Sequence, residues 1–238
     1  ASRLAFYAGV LGQRAVADKS NEITAIPVLL DMLAIESCVV TVDAMGCQQD
    51  IAQKILDKKA EYILMVKDNQ KTLKQQIEKV FTLEKPSHSH SRTDMGHGRV
   101  EKRECSVISE LRFLDDRSHW PGLQSIVKVR SERAEKKTGK ITQEARYYIS
   151  SLRGDAAQFN DKIRQHWAIE NNLHWSLDVL FNEDALLMKS GNSVINFSIV
   201  NKMALALLDK EKSTKMSKRS KRLTAALDDE YRSLVLKC

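Results

Sequence analysis

The chain has 238 residues, of which 42% are hydrophobic, and its 38 Lys and Arg against 31 Asp and Glu leave a net charge of +7. This describes a globular protein large enough to bury a core, with no apolar run near the roughly 18 residues of a membrane span. Four cysteines without a Cys-x-x-Cys pair argue against a disulfide framework or a zinc ribbon and for a reducing, cytosolic compartment.

The opening Ala1-Ser2-Arg3-Leu4 reads as the interior of a longer protein, truncated at its N-terminus. Residues 4–16 predict a strand or hairpin turning near Gly9 or Gly12. Ser20 or Asn21 then caps a helix that runs to about Leu33. Cys38–Asp43 is a short β-branched run that suits a buried strand, Gln49–Lys58 a helix, and Glu61–Lys67 a second buried strand. Gln70–Leu83 is an amphipathic helix with Leu73, Ile77, Val80 and Phe81 on its apolar side. This alternation implies an α/β layer with parallel strands.

The rhythm then changes. Residues 84–98, with Pro86, Gly96, Gly98 and the His88-Ser89-His90 triplet, read as a loop without a metal site. Residues 99–109, 126–133 and 143–151 predict three strands, and 155–208 returns to helices. The expected organisation is a first core segment over 1–84, a β-rich insertion over 85–153, a helical core segment over 154–208 and a basic tail over 209–238. That tail holds nine basic and five acidic residues. Its densest part includes Lys218, Arg219, Lys221 and Arg222, which suits a phosphate backbone as well as it suits a solvated end.

Two acids stand out. Asp43 closes a buried strand, where ligands of parallel sheets gather; alternatively it caps the following turn. Glu170 lies between His166 and His174 at i−4 and i+4 on one helix face. The three span about 12 Å along the axis, too far to share one zinc ion. Trp167 and Trp175 are candidates for base stacking, with core packing favoured for Trp167. Lys67, with Asn69 and Gln70, ends the second buried strand, as DNA contacts or, for Asn69, as a helix cap. Arg99 and Arg103 share one strand face with His97 and Glu101, facing either DNA or each other as ion pairs.

Four blocks carry a resemblance: Lys19-Ser-Asn-Glu-Ile-Thr-Ala-Ile-Pro27, Val40-Thr-Val-Asp-Ala-Met-Gly-Cys-Gln48, Tyr147-Tyr-Ile-Ser-Ser-Leu152, and His166-Trp-Ala-Ile-Glu-Asn-Asn-Leu-His-Trp-Ser-Leu-Asp-Val179. Together they resemble the H-repeat-associated insertion-sequence transposases, of the DDE class with a ribonuclease H-like fold. The resemblance implies a mixed α/β sheet flanked by helices, with a β-rich insertion before the last catalytic helix. It makes Asp43 the second and Glu170 the third acid of a triad, 127 residues apart. It further implies two Mg²⁺ (or Mn²⁺) ions, which activate the nucleophile and steady the leaving oxygen. Double-stranded DNA, both element ends and target, would be the partner, with His166 and His174 near the scissile phosphate and a homodimer as an option. No membrane would be involved, and the location would be the bacterial cytoplasm at the nucleoid.

The chain departs from the family where the first acid would lie ahead of residue 1, and at Asp68, Leu186, Leu187 and Ser190. The expectation is therefore weak cleavage or none by this chain alone, the alternative being an inactive DNA-binding or structural remnant. A generic nucleotide-binding domain is disfavoured because there is no Gly-rich phosphate loop.

Overall fold

A computed structural model describes residues 2–6, 9–14, 22–96, 99–169, 175–182 and 192–238. The chain divides into two units, Val16–His166 and a second made of Ala1–Ala15 with Trp167–Cys238. Several expected features lie outside the described residues: the Ser20 or Asn21 cap, His97, Glu170, His174, and the segment around Leu186, Leu187 and Ser190.

In the larger unit, α1 (Glu22–Asp31), β3 (Val39–Val42), α2 (Gln49–Asp57), β4 (Glu61–Val66) and α3 (Lys71–Leu83) follow one another. They are succeeded by β5 (His88–Gly96), β6 (Arg99–Ile108), β7 (Ser125–Glu135), β8 (Ile141–Ser150) and α4 (Ala156–Ile169). Six strands form one sheet in the order β3-β4-β8-β7-β6-β5. Only β3 and β4 are parallel; β8 pairs antiparallel with β4 and opens the four-stranded insertion. The expected mixed α/β class, with helices on the sheet and a β-rich insertion ahead of α4, is the one observed.

The apolar residues explain the core. Tyr62 through Val66 are buried in succession, as a strand covered on both faces requires. Ile51 and Ile55 on α2, and Leu73, Ile77 and Val80 on α3, supply the covering faces at helical spacing. Each such fully buried aliphatic side chain contributes about 1.5–3 kcal/mol. Tyr62 is also tied at its polar end, donating from its hydroxyl to the Pro121 carbonyl at 2.8 Å.

Residues 88–96, expected as part of a loop, are a strand: His88–Gly96 pairs with β6 along its whole length. The alternation of Ser, His, Arg and Asp conceals it, because polar contacts hold it in place of apolar burial. His90 Nδ1 meets Asn160 Nδ2 at 3.2 Å, and Asp94 accepts from Arg164, both partners being on α4. The next two strands run about two residues further toward their shared turn than expected. They reach Glu135 and Ile141, since a polar ladder can continue where the apolar pattern has ended.

In the smaller unit, β1 (Ser2–Phe6) and β2 (Gly9–Arg14) form an antiparallel hairpin. Gly9 and Gly12, expected near the turn, both lie inside β2. Helices α5 (Trp175–Phe181), α6 (Ser193–Lys210), α7 (Lys218–Leu227) and α8 (Asp229–Leu236) complete the unit. The basic tail is thus two capped helices: Ser217 accepts from the Ser220 amide, and Asp228 accepts from those of Glu230 and Tyr231. Among the described residues no helix is long and apolar enough to cross a membrane.

Candidate active site and nucleic-acid interface

β3 and β4 run side by side with Val42 opposite Leu64, so Asp43 and Lys67 leave the sheet at the same carboxyl end. Asp43 is extended (φ −71°, ψ −179°) and exposed, and its carboxylate makes no capping bond to the short 3-10 turn Ala44–Gly46 that follows. The helix-capping account of Asp43 therefore loses its support. A carboxylate held at a strand end without a partner among the described residues suits a cation.

Three contacts fix that end of the strand. Gly46 packs so closely over β3 that a Cβ there would stand 2.3 Å from Val42 Cγ1. Asn69 donates its amide to the Ala44 carbonyl at 2.6 Å, and Gln70 donates to the Cys47 carbonyl at 2.9 Å. The turn after β4 thereby clamps the turn after β3. Asn69 acts here as a fastener of the Asp43 loop, a role that a capping reading approached without identifying its target.

A further contact reaches the late helix. Thr41 Oγ1 and His166 Nδ1 are 3.0 Å apart, which joins the strand two residues before Asp43 to α4 four residues before Glu170. β3 is only half-buried, with Val40 alone fully covered, in place of the buried strand expected; sequence reasoning missed Thr41, the hydroxyl within it that finds a partner. Lys67 is exposed beside the loop. Asp68 is exposed too; a hydrogen bond and the charge of Lys74 hold its carboxyl below the usual range.

The insertion face that carries Arg99 and Arg103 is largely occupied with itself. Arg103 donates to Glu101 at 2.7 Å, and Arg133 stands 3.5 Å from the same carboxylate. Burial pushes the Glu101 carboxyl up, but the hydrogen bond and charge of Arg103, with Arg133, outweigh it and leave the group below its ordinary range. Arg99, at the far end of β6, is exposed.

On α7 the four expected DNA contacts differ. Lys221 is buried and stands 2.7 Å from the fully buried Glu211 carboxylate. Ser213, Thr214 and Tyr231 also donate to Glu211, whose carboxyl is held far below its usual range, first by Lys221 and then by Ser213. A phosphate would have to break this cluster to reach Lys221. Lys218 pairs with Asp209 at 2.8 Å, and Arg222 stacks over Phe181 at 4.6 Å. Arg219 is exposed, with no ion pair among the described residues. Trp175 is 57% exposed, as a stacking surface requires, whereas Trp167 is half-buried.

Among the described residues no three His, Cys, Asp or Glu side chains gather tightly enough to hold a metal ion.

The family described as Transposase DDE domain matches residues 6–207, and the chain belongs to that family. "Putative transposase YncI" of Escherichia coli O157:H7 is 44% identical over 235 residues, covering 95% of this chain and 60% of that protein. "H repeat-associated putative transposase YhhI" of Escherichia coli K12 is 42% identical over 238 residues, covering 95% of this chain and 62% of that protein. The chain spans about three fifths of the length of these relatives. A solved piggyBac transposase synaptic complex with hairpin DNA matches at TM-score 0.38 and 12% identity, over 96% of this chain and 44% of that one, too low a likeness to establish shared geometry.

Proposed function

We propose that the chain is catalytic-domain sequence of a DNA transposase, in which Asp43 and Glu170 are carboxylate ligands for Mg²⁺ or Mn²⁺ and double-stranded DNA is the substrate. The observation that carries this reading is the Thr41–His166 bond of 3.0 Å. It ties the strand that presents Asp43 to α4 at His166, four residues before Glu170 in sequence.

Each side chain has a distinct task in this reading. Asp43, extended and without a side-chain partner among the described residues, would supply a hard oxygen donor. Asn69 and Gln70 keep that donor in place through the backbone of its loop. Lys67 stands at the same strand end and neutralises a phosphate of the bound backbone. His166 is engaged through Nδ1 and acts as a positioning residue, while His174 is a DNA contact in this reading. Arg99, Arg219 and Arg222 extend the contact electrostatically, while Arg103 and Lys218 contribute after exchanging their ion pairs. When bound, two divalent cations would activate the attacking oxygen and stabilise the leaving one.

Mn²⁺ binding, followed by water-proton relaxation, tests the ligand pair. Asp43→Asn and Glu170→Gln should each weaken binding at least about tenfold, the scale of one missing ligand interaction. The double variant should be little worse than either single one, because both remove the same site. Losses that simply add would overturn the shared-ion reading, as would a loss from only one variant. Duplex binding by the wild type without Mg²⁺- or Mn²⁺-dependent nicking of supercoiled plasmid would favour the inactive alternative.

A further inference from the structure

β4 pairs with β8 only over Tyr147–Ser150, and beyond it the sheet continues as β5–β8, with α4 contacting β5 at His90 and Asp94. Ile141–Arg146 alone extends about 20 Å at about 3.3 Å per residue. Both faces of this extension carry charge, yet most of its acids are already engaged. Glu101 holds Arg103, Glu144 holds Arg146, Asp94 holds Arg164, and Glu132 accepts from Gln143.

The β7–β8 turn at the far end is different. Lys136, Lys137 and Lys140 are all exposed there, and none has an ion pair among the described residues. The nearest acid, Glu135, accepts from Thr138 Oγ1 at 2.7 Å. The turn is closed by Gly139 N to Glu135 O at 2.9 Å and Glu135 N to Lys140 O at 3.0 Å, with Gly139 at φ +66°. Three free ammonium groups are therefore carried on a fixed scaffold. Arg99 lies at the same end, as the cross-strand partner of Glu135.

We propose that the turn Lys136–Lys140 is a duplex DNA backbone contact, an outlying clamp in which the three lysines neutralise phosphates away from Asp43. The inference rests on the transposase reading for its partner, but not for its geometry. An exposed turn whose three lysines have no ion pair among the described residues matches a repetitive polyanion better than a single small anion. Ammonium groups act there as point charges, so the contact is insensitive to base sequence.

The test is duplex binding by the full chain, with a short duplex of arbitrary sequence, across a salt series. Lys136→Gln/Lys137→Gln/Lys140→Gln is compared with the charge-matched Lys59→Gln/Lys79→Gln/Lys85→Gln, whose lysines are exposed elsewhere in the same unit. Circular dichroism checks that both variants fold. The tip variant should flatten the slope of log K against log salt by about 2–3, at about 0.9 for each phosphate no longer neutralised. It should bind at least about tenfold more weakly at low salt, with the control near wild type. Equal losses in both variants would reduce the effect to net charge and overturn the inference, and so would an unchanged slope in the tip variant. In both of those cases wild-type binding would leave the transposase reading standing. A wild type that binds no duplex at any salt would remove both.

Discussion

Gly46 is the sharpest mechanical constraint next to Asp43, and Gly46→Ala measures it. A Cβ there would lie 2.3 Å from Val42 Cγ1 and 2.9 Å from Ile26 Cδ1. Carbon atoms settle at about 3.5–4.0 Å, so more than an ångström must be recovered. Ile26 Cδ1 is a flexible chain end and can move, whereas Val42 is β-branched and stiff within a strand. The turn or the strand end must give, at the cost of about 1–3 kcal/mol typical of overpacking. No backbone term enters, because the described glycines with positive φ are Gly122 and Gly139. Gly139→Ala is the complementary case: its φ is +66° with nothing within 4 Å, so it incurs only the left-handed strain of about 1–2 kcal/mol. Urea unfolding followed by far-UV circular dichroism measures both. Val42→Ala should rescue Gly46→Ala, with a coupling of about 1 kcal/mol, and leave Gly139→Ala uncoupled. A Gly46–Val42 coupling below about 0.5 kcal/mol would refute the close packing from which Asp43 is displayed. Gly46→Ala should also weaken Mn²⁺ binding, through displacement of the Asp43 loop.

Four further outcomes follow from the same geometry. Glu101→Gln should destabilise by about 1 kcal/mol near neutral pH. Because its folded carboxyl titrates below the usual range, that stability is present above about pH 4.5 and disappears as pH falls through the lowered value, which parallel urea melts at about pH 7 and about pH 3 would detect. Burial pushes the Cys47 and Cys105 thiols up to about 12, so a chromogenic disulfide at about pH 8 should titrate Cys238 and, more slowly, Cys38, reaching the other two only after denaturation. Asn69→Ala should cost about 1 kcal/mol of stability and lower Mn²⁺ affinity, while Asn69→Asp, which cannot donate to the Ala44 carbonyl, should do no better; unchanged metal binding in both would remove the clamp from the mechanism. Lys221→Met should open α7 to limited proteolysis while Arg219→Met does not, since only Lys221 compensates the buried Glu211 carboxylate.

The parallel core was legible because its residues are apolar in two clear periods. β4 reads as an uninterrupted buried run, and α3 places Leu73, Ile77 and Val80 at helical spacing. The insertion was legible only in part, for a reason of the same kind. β6, β7 and β8 each keep an apolar half near the core, whereas β5 has none and relies on contacts to residues about 70 positions away in sequence. Hydrophobic periodicity carries no information about partners that distant.

The acid that ends β3 could be singled out by its place at the carboxyl end of a parallel strand, although its exposure removes the burial cost expected there, but its supports could not. Asn69, Gln70 and His166 act on the Asp43 region through atoms brought together by the parallel pairing of β3 with β4 and by the return of α4. The tail makes the same point in reverse. Composition shows seven basic residues and one acid between Lys210 and Arg222, which invites a phosphate-binding reading of all of them. The fold uses the single acid as its centre: Glu211 organises Lys221, Ser213, Thr214 and Tyr231, withdrawing one lysine from any external ligand. Basic residues in such a segment therefore differ by what the nearest acid has already claimed, and the exposed, unpaired lysines of the β7–β8 turn stand in clearer contrast to Lys221 than charge counting would suggest.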